Sequence, residues 1–117
     1  MITTTAAGRT WHFSHALGRR TTSAEGGFNA PVAIATAPGG ILFVVSKGWD
    51  VPIDAPGFTS RRICKLTIEE EFFGDFAHRE FIWPAGIAIS SDGNVYCSDE
   101  HLNAISWFGP DGPFCVE

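Results

Sequence analysis

Several things are scarce or missing in this 117-residue chain, and each absence narrows what it can be. No run approaches the ~20 consecutive apolar residues that a helix needs to cross a bilayer, so no membrane partner is expected. The N-terminal stretch MITTTAAGRTWHF lacks a basic start followed by an apolar segment, so no signal peptide is expected either. Basic residues are few: eight Lys and Arg against thirteen Asp and Glu give a net charge of −5. Binding to a phosphate backbone needs a basic face, which argues against nucleic acid as a partner. The three cysteines, Cys64, Cys97 and Cys115, show no C-x-x-C spacing, so no zinc site is expected. Each lies in an apolar, strand-like run and reads as a small core residue; a Cys97–Cys115 disulfide stays open. Reduced thiols without a leader fit a cytoplasmic protein. There is no G-x-S-x-G. Ser90 and Ser91 sit in a hairpin turn with no base nearby in sequence, which leaves nucleophilic catalysis without support. Gly39-Gly40 lies between two strands rather than before a helix, so it is no phosphate loop. No segment has a helical 3.6-residue apolar period with caps, so almost no helix is expected.

What remains is strand and turn, in a length suited to one domain. Thirteen Gly and seven Pro supply the turns. In Arg9–Arg19, Trp11, Phe13, His15 and Leu17 alternate with Thr10, His12, Ser14 and Ala16, which predicts a strand with one buried face and His15 as a core histidine on it. Residues 20–27 read as a loop. VAIAT after Pro31 is a short buried strand, Pro38-Gly39-Gly40 a tight turn, and Ile41–Ser46 the next strand. Residues 47–62 form a long loop, Ile63–Ile68 a third strand, and Glu69–Phe76 a turn and a short fourth. The order then recurs. Pro84 precedes the strand GIAIS, Ser91-Asp92-Gly93-Asn94 turns the chain, NVYCSD follows, a short loop leads to ISWF, and PFCVE begins or completes a last strand.

The recurrence is an internal repeat. Placing Phe28 on Phe81 puts Pro31 on Pro84, Ile34 on Ile87, Ala35 on Ala88, Gly40 on Gly93, Phe43 on Tyr96 and Ser46 on Asp99. Units of this length with four short strands suggest propeller blades. The chain therefore divides into an N-terminal outer strand and loop (1–27), a first blade unit (28–80) and a second (81–117). Stacking of blades is expected to bury Ile34, Ile87, Ile89, Val95 and Tyr96 between the sheets.

The second unit, from Phe81 to Phe108, reads F-x-x-P-x-G-I-A-x-x-x-D-G-N-V-Y-x-x-D-x-x-x-N-x-I-x-x-F and resembles an NHL repeat. The first unit fits less well, with Ala33 for Gly, Gly39 for Asp, Ser46 for Asp and a long insertion. The resemblance implies an all-β fold of NHL-type β-propeller blades: about two four-stranded antiparallel sheets plus an N-terminal strand, part of a ring that is commonly six-bladed. Two units alone would leave open sheet faces. Further blades from a longer chain, or a homo-oligomer of three two-blade copies, would supply the cover. In a complete ring, Arg9–Arg19 would serve as the outer strand closing the last blade.

A ring of this kind carries many functions, so its activity must be read from sites. Asp99 and Asn103 bracket a loop whose free backbone N–H groups a carboxylate and an amide can bind. Asp99, Glu100, His101 and Asn103, with Trp49, Asp50 and Phe58 in the long loop, are the candidate rim residues for binding a protein or a small molecule. No cofactor and no bound metal are expected. His12 and His15 stand three apart in a strand and point to opposite faces, so they cannot share a metal. The alternative is a metal-dependent hydrolase or lyase of the gluconolactonase-like or peptidyl-glycine lyase-like six-bladed group. That reading needs carboxylate, Asn or His ligands on the innermost strands, and VAIAT and GIAIS offer none.

Overall fold

A computed structural model describes residues 3–21, 27–48, 61–69, 71–77, 81–109 and 115–116. Among the described residues there are ten strands and no helix: β1 (Thr3–Ala6), β2 (Arg9–His12), β3 (Pro31–Ala37), β4 (Ile41–Lys47), β5 (Arg61–Thr67), β6 (Phe72–Phe76), β7 (Pro84–Ile89), β8 (Val95–Asp99), β9 (Ala104–Phe108) and β10 (Cys115–Val116). They form one two-stranded sheet, β1-β2, and two four-stranded sheets, β3-β4-β5-β6 and β7-β8-β9-β10. In both four-stranded sheets every neighbour is antiparallel and sequential, so each is a simple meander, the form expected of a propeller blade.

The repeat holds at the level of hydrogen bonds. Pro31 pairs with Ser46 and Pro84 with Asp99, and each first strand has a bulge at the same place, Pro31/Ala33 and Pro84/Gly86. The Lys47 N–H donates to the Ala30 carbonyl at 2.9 Å, and the Glu100 N–H donates to the Trp83 carbonyl at 3.0 Å. Tight turns close the hairpins. Gly39 and Gly40 take φ of 85° and 76°, in the left-handed region that glycine enters without Cβ strain. In the second blade the Ser90 hydroxyl accepts the Asn94 N–H at 3.1 Å, as Thr67 accepts that of Glu71 at 3.0 Å one hairpin earlier.

Strand periodicity gives each blade two faces. The forward face of the first blade carries Phe43, Val45, Ile63 and Phe76. It packs against Val95, Cys97, Phe108, Ile87 and Ile89 on the rear face of the second, with Phe81 and Ala77 completing the core. Edge-to-face aromatic contacts run through it, Phe43–Phe76 at 6.3 Å, Phe76–Phe108 at 5.3 Å and Phe81–Phe108 at 6.0 Å between ring centroids. Such pairs add to the burial of apolar surface that holds the two sheets together. A second, smaller core lies on the rear face of the first blade, where Val44, Cys64 and Leu66 pack with Leu42 and Phe28. Cys64 and Cys97 are free and buried. Burial above all, with Asp75 adding to it, pushes the Cys64 thiol up to about 12; burial and then Asp99 do the same for Cys97.

Three expectations need correction. Arg9–Arg19 is not one long strand with a buried face. Its first four residues form the second arm of the β1-β2 hairpin, Trp11 and Phe13 are exposed, and His15 lies at the surface, its Nδ1 2.8 Å from the Ser14 hydroxyl and its Nε2 3.4 Å from the Ile68 carbonyl. Ala7 and Gly8 take positive φ and turn the chain back, so the alternating side chains have no sheet to lie on. Second, Ile34 stands on the rear face of the first blade and is exposed, and Tyr96 stands on the forward face of the second, half-buried; neither lies between the sheets. Third, β5 begins at Arg61, so both arginines belong to the strand rather than to the loop before it.

Arg62 is the reason the N-terminal segment stays on the first blade. Its side chain is fully buried, and Nη2 donates to the Thr21 hydroxyl and to the Gly27 carbonyl, both at 2.7 Å. Its Nε lies 3.6 Å from an oxygen of the buried Asp75, whose carboxylate accepts no hydrogen bond among the described residues. Desolvation pulls the guanidinium below its ordinary pKa, and Asp75 pulls it back up. The segment itself is locked by Phe28 N–H to Arg19 carbonyl at 2.7 Å and Thr21 N–H to Phe28 carbonyl at 2.9 Å. Gly18, at φ 89°, lies so close to Phe28 that a Cβ there would meet the ring at 2.3 Å.

Candidate functional site at the strand-end rim

Asp99 closes β8 at one end of the second blade, with only 3% of its surface exposed. One oxygen, Oδ2, accepts the N–H groups of Ile82 at 2.7 Å and Trp83 at 3.0 Å, which lead into β7. The other, Oδ1, accepts those of His101 at 3.0 Å and Leu102 at 2.9 Å, which open the turn into β9. A carboxylate suits this position because it can accept several amide hydrogens at once, and charge-assisted bonds are stronger than neutral ones. Asp99 is thereby committed to its own backbone and braces the loop, as its place in the sequence suggested. Asn103 joins the turn through its backbone, which takes φ 55° while its N–H donates to the Asp99 carbonyl at 3.0 Å.

The brace presents a small platform. The Trp83 and His101 rings meet edge to face, 5.0 Å apart, and Leu102 is exposed beside His101 in the same turn. Glu100 reaches across to the first blade, where Lys47 Nζ lies 2.8 Å from its Oε1 and 5.9 Å from the centre of the Trp83 ring. Lys47 and Glu100 occupy the same position of the two repeats, so the ion pair joins like points of adjacent blades. The platform thus offers an aromatic face flanked by one cation and one anion. It suits the stacking of a ring or of apolar side chains, with polar groups to fix their orientation.

Of the residues picked from the sequence, Asp99, Glu100, His101 and Asn103 come together in this one turn. Trp49, Asp50 and Phe58 lie outside the described residues. Lys47 and Trp83 were missed. The signal for Lys47 was present, since the repeat sets a Lys opposite a Glu at one position; Trp83 falls at an unassigned position of the Phe81–Phe108 pattern and was given no role. Among the described residues, no group of three or more His, Cys, Asp or Glu stands together as a metal site. Nor is any described helix long and apolar enough to cross a membrane. An open cleft of about 430 Å³ runs elsewhere, between Leu17–Arg20 and Phe28–Pro31.

Fold and rim define an all-β protein built of propeller-type blades. The chain matches no protein-family model. Over 84 residues, 67% of its length, it is 32% identical to peptidyl-glycine alpha-amidating monooxygenase A of Xenopus laevis. That stretch is 8% of the relative, so the chain spans well under a tenth of the protein it matches. The likeness is distant and lends support to a propeller-type, NHL-like family.

Proposed function

We propose that this chain is an NHL-type propeller module that binds a protein or small-molecule ligand on the rim formed by Lys47, Trp83, Glu100 and His101. The observation behind this reading is the contrast between a buried brace and an exposed platform. Asp99 holds four backbone N–H groups, while Trp83 and His101 lie outside it, exposed and in contact. An aromatic pair held in place at the surface offers a ligand a ready stacking face. A peptide ending in glycine is the probe of choice, because the similar Xenopus protein is named for peptidyl-glycine. Fluorescence anisotropy of a labelled peptide with a C-terminal glycine should report saturable binding, lost in Trp83→Ala and kept in Trp11→Ala. Binding that survives Trp83→Ala would move the site off this rim.

The second reading is an enzyme, a metal-dependent lyase or hydrolase; in its support the similar Xenopus protein is named as an enzyme, a monooxygenase. The four N–H groups on Asp99 count against Asp99 as its ligand, and the inner strands β3 and β7 carry Val, Ala, Ile, Thr and Gly after their prolines. Titration with Ca²⁺ or Zn²⁺ separates the readings. A rise in Tm at micromolar metal supports the enzyme; peptide binding unchanged by a chelator supports the module.

A further inference from the structure

The open cleft of about 430 Å³ on the first blade has no part in the rim described above. Leu17, Phe28, Ala30 and Pro31 give it apolar walls, and Arg19 and Arg20, both exposed, line it as well. Small-molecule sites of ~300–1,000 Å³ are built in this way, from apolar walls and a few polar groups. Both banks of the cleft are tied down. The Arg19 carbonyl accepts the Phe28 N–H at 2.7 Å, and the Phe28 carbonyl accepts the Thr21 N–H at 2.9 Å. Asn29 donates its N–H to the Ser46 hydroxyl at 3.1 Å and accepts the Gly48 N–H on its carbonyl at 3.1 Å. A ligand therefore meets walls already in place, and little has to be ordered when it binds.

The repeat indicates the shape of the occupant. Ala30 holds the position of Trp83, and the two carbonyls accept the equivalent N–H groups of Lys47 and Glu100. The second blade places an indole ring at this position; the first places a methyl group there, with open volume beside it. A flat aromatic body is the complement. The arginines indicate its charge. They are two of only eight basic residues in a chain of net charge −5, and they stand next to each other on the cleft. A guanidinium pairs with a carboxylate through parallel N–H···O bonds, and its five donors can serve a ligand alongside a protein neighbour.

We propose that this cleft binds a small aromatic carboxylate, its ring against Phe28, Ala30 and Pro31 and its carboxylate on Arg19 and Arg20. The site is separate from the platform of Trp83 and His101 and does not depend on that platform binding anything.

Isothermal titration calorimetry of the whole chain with naphthoate tests this. The expected result is saturable binding of one naphthoate per chain, with the neutral naphthamide weaker by about 10-fold, the scale of a lost charge-assisted hydrogen bond. The double variant Arg19→Gln, Arg20→Gln should weaken naphthoate by about 10-fold and leave naphthamide unchanged, a split that a general loss of structure would not produce. Leu17→Trp brings an indole into the cleft and should abolish binding of both. Ile105→Ala, at an exposed residue of the second blade, should alter neither. A parent chain that shows no saturable naphthoate binding overturns the proposal. So does equal affinity for naphthoate and naphthamide, naphthoate binding that survives Leu17→Trp, or a double arginine variant that loses both ligands alike while its far-UV circular dichroism matches the parent's. Should that variant misfold, the comparison of the two ligands on the parent chain and the Leu17→Trp result carry the test.

Discussion

The two blades share a plan and differ in how each secures the end of its second strand. In the first, Ser46 gives one hydroxyl to one backbone donor, the Asn29 N–H at 3.1 Å. In the second, Asp99 stands at the same position, takes the equivalent N–H of Ile82, and gathers three more. The first blade instead relies on Arg62, which binds its rear face to the N-terminal segment, while Ala104 holds the corresponding place in the second. One blade is stabilised by a carboxylate at its rim and the other by a guanidinium on its rear face. A shared fold therefore does not require shared supports, only that each buried polar backbone group find one.

The largest expected effect breaks the first blade's support. Asp75→Ala leaves Arg62 buried without its counter-charge and should cost about 3–5 kcal/mol in urea unfolding, as should Arg62→Met, which strands the carboxylate. The double variant Arg62→Met, Asp75→Leu should recover much of that loss, because an apolar pair of similar volume carries no desolvation cost. If each single change costs under ~1 kcal/mol, the rear face does not depend on this pair.

Asp99→Ala comes next, at about 3 kcal/mol, since it removes charge-assisted acceptors from four amides at once. Ser46→Ala, with one neutral bond to lose, should cost about 1 kcal/mol. The gap between these two is the sharpest measure of the difference between the blades. Equal costs would mean that water satisfies the Asp99 amides once the carboxylate is gone.

Each blade also buries one thiol, Cys64 and Cys97, and both are pushed from an ordinary value of 9.0 up to about 12. The unfolded thiols ionise first as pH rises through about 9, so the unfolded chain then holds fewer protons than the folded one. Stability from this source is complete below pH 9 and falls as pH climbs toward 12. Cys64→Ala and Cys97→Ala should each flatten the alkaline decline measured by urea titration, by a similar amount. Unequal flattening would show that one blade opens before the other.

Much of this plan was legible in the residues. The 53-residue offset from Phe28 to Phe81 gave both meanders, the equivalence of Ser46 and Asp99, and the turn at Asp99–Asn103, because period-two patterning and Gly or Pro turns act over short range. The N-terminal strand was misread because Trp11, Phe13 and His15 alternate correctly for a buried face that the sheet never supplies; periodicity records a preference, not a partner. Arg62 was placed in the loop 47–62 because two Pro and two Gly mark that stretch as turn-rich. The Thr21 hydroxyl and the Gly27 carbonyl, with the Asp75 carboxylate nearby, make a buried guanidinium tolerable there.

The smallest expected effect concerns the point where the blades meet at the rim. Lys47 and Glu100 occupy one repeat position with opposite charges, 2.8 Å apart and partly exposed. A solvent-screened pair contributes little, so a double-mutant cycle of Lys47→Ala and Glu100→Ala should give a coupling of about 0.5 kcal/mol that shrinks further in high salt. Its consequence should appear instead in the platform. Lys47 also lies over the Trp83 ring at 5.9 Å, so losing it frees one side of that ring without unfolding anything. Peptide affinity should therefore fall in Lys47→Ala while the urea midpoint barely moves, and the exchanged pair Lys47→Glu, Glu100→Lys should restore the coupling but not the affinity. If affinity returns with the exchange, the charges act only on each other and the cation plays no part beside Trp83.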